Sequence, residues 1–200
     1  MPLPLHIFEP RYRELVEVCL KTDRRFGVLL FRPALERTGR IEHYSIGTIA
    51  EIASAARLED GRLNIVTMGF ERFHISKVFE DRSYLHALVQ ILDEPIGLPE
   101  NVLPLAADAY ALTVRYVELL LKLDDQEGIA FELPTEPLEL SYKIAALLQT
   151  AVEEKQLLLE AENVEVRLRA AIPYLQRELA ILDRIFNLPP AEKERIFSLN

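Results

Sequence analysis

The 200-residue chain has one cysteine, Cys19, so it forms no internal disulfide. The thiol falls on the apolar stripe of a predicted helix, where a free cysteine ordinarily packs as a small hydrophobe. Histidine is also scarce. His6, His43, His74 and His86 contain no pair at helical ligand spacing and have no cysteine set to join, so no metal centre is expected. His74 and His86 lie on predicted strands that can pair as neighbours, and they are the one candidate pair. The seven glycines include no phosphate-cradling loop followed by Lys-Ser or Lys-Thr, which argues against nucleotide hydrolysis. No serine sits in a Gly-x-Ser-x-Gly turn. Ser76 and Lys77 are adjacent on a predicted strand and point to opposite faces. Ser141 and Lys143 lie about 200° apart on a predicted helix. The acid pairs Asp124-Asp125 and Glu153-Glu154 sit at helix edges and read as solvated ends. No catalytic residue and no cofactor are expected. No apolar run approaches the roughly 18 residues of a membrane span. No basic segment followed by a long apolar stretch opens the chain, and cytoplasm is the expected compartment.

Charge is unevenly spread. Residues 1–95 carry 13 Lys and Arg against 14 Asp and Glu, while residues 96–200 carry 10 against 18. An acidic second half disfavours a phosphate backbone, whose binding rests on Lys and Arg. It favours solubility and basic or unfolded partners, and it also fits an ordinary solvated helical surface.

What is present divides near residue 95. In residues 1–15, Leu3, Leu5 and Ile7 alternate with Pro4 and His6, the period of a half-buried strand. Pro10 then opens a helix whose apolar positions Tyr12, Leu15, Val16 and Cys19 form one stripe. Short runs at 25–31, 45–52, 55–59, 62–68, 72–79 and 84–92 read as strands of a compact barrel or sandwich. Asp60-Gly61 signals a hairpin between the third and fourth of these. Gly69 predicts a bulge or a close backbone approach. Pro95, Gly97 and Pro99 mark a boundary loop. Beyond it the period is helical, with helices expected over 101–123, 136–149, 151–161 and 164–186. Thr135 and Asn163 are the expected caps of the second and fourth. Pro189-Pro190 ends the last helix, and 191–198 is expected to add a turn or two. The chain is therefore α+β, with a β subdomain over 1–95 and a helical subdomain over 96–200.

Several of these runs together resemble the Lon protease N-terminal, or substrate-binding, domain. They are PLPLHIFEPRYREL at 2–15, IGTIAEI at 46–52, DGRLNIVTMGFERFHI at 60–75, the strand at 84–95, and paired helices over 155–182 with the capped run Asn163-Val164-Glu165-Val166-Arg167-Leu168. They follow family order over about nine tenths of the chain. The resemblance implies a PUA-like β pseudobarrel followed by a helical bundle that ends in a long helix. It also implies a stand-alone domain, of a kind found mainly in bacteria, without the AAA+ ATPase and Ser-Lys protease of Lon. The family usually opens with one more strand, ending in Pro-Gly, before the position of Met1. Either the start of translation lies upstream or this protein begins late, and a late start leaves a barrel edge unpaired.

The implied function is non-enzymatic recognition of unfolded or partner polypeptides, as a substrate-recognition or adaptor protein in quality control. Exposed apolar side chains or an edge strand would provide the contact. His6, Phe8, Arg11 and Tyr12 beside the opening run, with Phe70 and Phe73 by Gly69, are the candidate contacts. Each also has a structural reading as core or cap, and Arg11 paired with an acid inside the fold is one. The alternative is an RNA-binding PUA-like module, which rests on fold analogy. Arg11, Arg13, Lys21, Arg24 and Arg25 would be its basic patch, yet acids are interspersed among them, so nucleic acid is not the expected partner. Neither a membrane partner nor a particular oligomeric state is indicated.

Overall fold

The computed structural model describes residues 2–32 and 42–189. The turn expected over 191–198 lies outside the described residues. Two compact units divide the chain, the first ending at Asp93 and the second beginning at Glu94.

The first unit is a curled half-barrel sheet with one helix. Strand β1 (Pro2–Ile7) leads into α1 (Pro10–Lys21). Pro10 takes the first helical position, and Glu9 caps through its backbone, its carbonyl accepting from Arg13 N at 3.0 Å. Val16 and Cys19 of α1 pack on Leu63, Ile65 and Ile52, with Leu5, Ile7 and Phe26 around them. The strand alternation of the opening run thus turns its odd positions inward and puts Leu5 and Ile7 against this core.

The remaining strands of this unit are β2 (Arg25–Val28), β3 (Phe31–Arg32), β4 (Glu42–His43), β5 (Ile46–Arg57), β6 (Leu63–Phe79) and β7 (His86–Ile91). The main sheet has the order β1-β6-β5-β2, with β7 also on β6, and every pairing is antiparallel. A separate ladder joins β3 to β4. Three expectations change here. The run 25–31 is not one strand: β2 ends at Val28 and β3 starts in the other ladder. The runs 45–52 and 55–59 are one strand, β5, whose irregularities are two register shifts, between Thr48 and Ala50 and between Ile52 and Ser54. Bulges let a long strand bend without ending. The runs 62–68 and 72–79 are likewise one strand, β6, and the irregularity expected at Gly69 is the shift opposite Thr48–Ala50.

Asp60-Gly61 does lie in the hairpin turn, but only Gly61 takes positive φ, at 80°. The turn is wider than two residues, with Leu58 N donating to Arg62 O at 2.8 Å. The Asp60 carboxylate accepts from Arg62 N at 3.1 Å and so helps hold the turn.

The second unit is helical: α2 (Pro99–Leu123), α3 (Pro137–Leu147), α4 (Val152–Glu160) and α5 (Val164–Phe186). Its core joins Tyr116 and Ala109 of α2, Leu140 and Ile144 of α3, Leu158 of α4, and Leu168 and Leu175 of α5. Helix α2 begins two residues earlier than expected, because Pro99 fits the first helical position and Leu98 O accepts from Val102 N at 3.0 Å. Thr135 does not cap α3. Glu136 holds that position and offers no side-chain bond. Asn163 does cap α5, its Oδ1 accepting from Val166 N at 2.8 Å. Helix α5 continues through Pro173, forgoing one helical bond, while Leu168, Ala171 and Leu175 on the same helix are fully buried.

Among the described residues no helix is long and apolar enough to cross a membrane. No described group of His, Cys, Asp and Glu is arranged to hold a metal ion. His74 pairs with Gln90 and His86 with Phe79, so strand pairing does not bring the two histidines together.

Candidate functional site

The half-buried period of β1 and β6 sorts their residues onto two faces. In β6, Leu63, Ile65 and Thr67 are buried, while Asn64, Val66, Met68 and Phe70 are exposed. In β1, Pro2, Pro4 and His6 are exposed, and they pair across the ladder with Met68, Val66 and Asn64. On the other side of β6, Ser54 pairs with Val66 and Ala56 with Asn64. The result is an outer face made of Pro, Val, Met, Phe, Ala, Ser, Asn and His.

Small side chains on β5 leave this face indented. One open depression of about 500 Å³ lies among Pro4, His6, Ser54, Ala56, Asn64 and Val66. A second, of about 180 Å³, lies among Glu51, Ala53, Met68, Gly69 and Phe70. Asn64 and Phe70 are six residues apart on β6, so the face runs for roughly 20 Å at about 3.3 Å per residue.

Charges at its borders are already engaged. Arg25 Nε donates to Glu51 Oε2 at 3.0 Å, and its guanidinium lies over the Phe70 ring at 4.0 Å. Arg62 Nε donates to Asp60 Oδ2 at 2.6 Å, and Arg57 pairs with Glu17. A hydrogen bond from Arg62 and the Asp60 backbone contact hold the Asp60 carboxyl below its ordinary range.

Among the described residues no strand pairs with the outward edge of β1, and that edge is chemically blunted. Proline has no N–H, so the ladder donors to β6 fall to Leu3, Leu5 and Ile7. The nitrogens of Pro2 and Pro4 then point along the outward edge, where they donate nothing. An added strand would find carbonyl acceptors there but only the His6 N–H as a donor.

The six residues singled out from the sequence do not form one cluster. His6 and Phe8 stack with centroids 6.1 Å apart. His6 Nε2 meets Arg62 Nη1 at 3.3 Å and Nδ1 meets Asn64 Oδ1 at 2.6 Å. A guanidinium only donates, so Nε2 accepts and Nδ1 carries the proton. Phe8 is 59% exposed. Arg11 donates to Glu9 at 2.8 Å and lies 4.6 Å from the Tyr12 ring centroid; this ion pair is on the surface rather than inside the fold. Phe70 lies near the middle of β6, at the far end of the outer face and past the Pro2–Met68 pair. Phe73 is 2% exposed, and its ring fills the space beside Gly27 and Gly47. Val66, Met68, Pro4 and Ala53 were not singled out, although the run 63–70 carries apolar residues in both strand registers. That double register is the signal for a second apolar face.

The curated relatives are long proteins. The Lon protease of Syntrophus aciditrophicus is 27% identical over 188 residues, which cover 92% of this chain and 24% of that protein. The chain thus spans about a quarter of the length of the curated relatives it matches. Among solved structures, the Lon N-terminal domain protein from Xanthomonas campestris superposes with a TM-score of 0.61 at 24% identity, over 86% of this chain and 89% of that one. The N-terminal domain of Mycobacterium avium complex Lon protease gives 0.61 at 22% identity, over 88% and 90%. These likenesses establish the α+β fold. A family model, that of the ATP-dependent protease La (LON) substrate-binding domain, matches residues 1–177, and the chain belongs to that family.

Proposed function

We propose that this chain recognises apolar, unfolded segments of polypeptide on the outer face of β1, β6 and β5, without covalent chemistry, as a substrate-recognition protein in quality control. The observation that carries the reading is the face itself. Val66, Met68 and Phe70 are 37%, 42% and 54% exposed on one side of one strand, and the charges at its borders are ion-paired. A neutral apolar surface rewards neutral apolar side chains. Burying one Val, Met or Phe side chain contributes about 1.5–3 kcal/mol. Set against the cost of association, a few such anchors give affinity on the order of micromolar.

The arginines of the expected basic patch do not argue for RNA. Arg11 and Arg25 are ion-paired, and Arg24 donates to Ile52 O at 2.9 Å. The whole chain carries a formal charge of −9.

The test is fluorescence anisotropy of labelled, reduced and iodoacetamide-blocked α-lactalbumin, which stays unfolded, titrated with this protein beside a structured RNA. Saturable binding of the polypeptide alone supports the reading. Binding of RNA alone, weakening steeply with salt, replaces it with the nucleic-acid alternative.

A further inference from the structure

We propose that Met68 is a modification site, where sulfoxidation by a hydroperoxide weakens polypeptide binding at the outer face. The inference rests on the polypeptide-binding reading above.

The described residues hold two sulfur atoms, and the fold treats them oppositely. Cys19 is 4% exposed, and its Sγ donates to Arg25 O at 3.1 Å. Met68 is 42% exposed in the middle of β6, between Pro2 of β1 and Glu51 of β5. Its chain neighbour Gly69 has no side chain to cover it, and Met68 lines the smaller depression with Glu51, Ala53 and Phe70. The only other methionine in the sequence is Met1. One accessible thioether therefore sits inside the apolar face.

A thioether is flexible and polarisable, and it adapts to varied apolar partners. Its lone pair attacks the distal oxygen of a hydroperoxide. The S–O bond forms as the O–O bond breaks. Sulfur is oxidised by two electrons, and the peroxide leaves as water or an alcohol. The product is a polar sulfoxide at the centre of the face. A dithiol reductase returns it to the thioether, with water and a disulfide as products.

The experiment treats the full chain with hydrogen peroxide, locates added oxygen by peptide mass mapping, and titrates the labelled α-lactalbumin before and after. The expected result is oxidation of Met68 at a rate within about tenfold of free methionine, with affinity about tenfold weaker after full conversion. In Met68→Leu the affinities before and after peroxide are equal, whatever their starting value. Met68 that resists peroxide overturns the site. Full conversion with unchanged affinity overturns the switch. Failure of the untreated protein to bind overturns the polypeptide reading and the switch with it, while the mass shift still reports separately on the site.

Discussion

Arg167 and Glu94 form an ion pair inside the helical unit, Nη2 donating to Oε2 at 3.2 Å, with the arginine side chain fully buried. Every part of the guanidinium is used. Nε donates to Leu158 O at 3.0 Å, Nη1 donates to Ser141 Oγ at 3.2 Å, and the plane lies 4.0 Å from the centroid of the Tyr142 ring. The Tyr142 hydroxyl donates in turn to Glu94. The network ties α3, α4 and α5 to the segment that precedes α2. Removing the arginine leaves the partly buried Glu94 carboxylate without its cation, so Arg167→Ala is expected to destabilise the unit by up to about 3–5 kcal/mol. Urea unfolding followed by circular dichroism measures this, and a change below about 1 kcal/mol contradicts the role.

Gly47 has no room for a side chain. A Cβ there would lie 2.5 Å from Val28 O and 2.7 Å from both Leu29 Cδ2 and Phe73 Cζ. The first contact is backbone, which does not step aside. Gly47→Ala is expected to cost roughly 1–3 kcal/mol by overpacking. At Gly69 the nearest atom, Thr48 Cγ2, would be 3.3 Å away. Gly69→Ala should therefore unfold at a denaturant concentration closer to that of the parent chain. Equal losses in the two variants would contradict the packing argument.

Cys19 is expected to be inert in the native protein. Burial pushes its thiol up, and the nearby Asp23 carboxylate pushes it the same way. The thiolate is the reactive form, so alkylation by iodoacetamide at pH 8 should proceed only as fast as the first unit opens. Alkylation at the rate of a free thiol in folded protein would contradict the burial.

Glu154 gives a pH signature on the helical surface. A hydrogen bond from Arg177, with that arginine's charge, holds the carboxyl below its ordinary 4.5. A carboxyl lowered by folding stabilises at pH above the unfolded value, and the contribution drains away as pH falls through the lower folded value. The stability difference between parent and Glu154→Gln should be full at pH 7 and shrink below about pH 4.5. A difference that is the same at pH 3 and pH 7 contradicts the assignment.

Much of the fold was legible because local chemistry and global packing agree. The strand alternation of Leu3, Leu5 and Ile7, Pro10 at the helix start, and Asn163 before α5 each specify one local outcome, and the structure uses each. Strand ends in the middle of the sheet were not legible. The small residues around Ala53 look like a break in sequence, yet a bulge lets β5 pass through them. Phe70 and Phe73 are three residues apart on β6, so strand alternation exposes one and buries the other beside Gly47, an outcome hidden in sequence by the break expected at Gly69. The outer face was missed for a related reason. Its members come from three strands, and only the register of β1 and β5 on β6 puts Pro4 and Ser54 beside Val66.

The most direct test of the polypeptide-binding account compares the affinity of the labelled, unfolded α-lactalbumin for the parent chain, for Val66→Ser with Phe70→Ser, and for Leu157→Ser. Leu157 is 58% exposed on α4 and belongs to the other unit. With folding of each variant confirmed by circular dichroism, the account predicts an affinity at least about tenfold weaker for the face variant and an unchanged one for Leu157→Ser. Equal affinities for the parent chain and the face variant would contradict it.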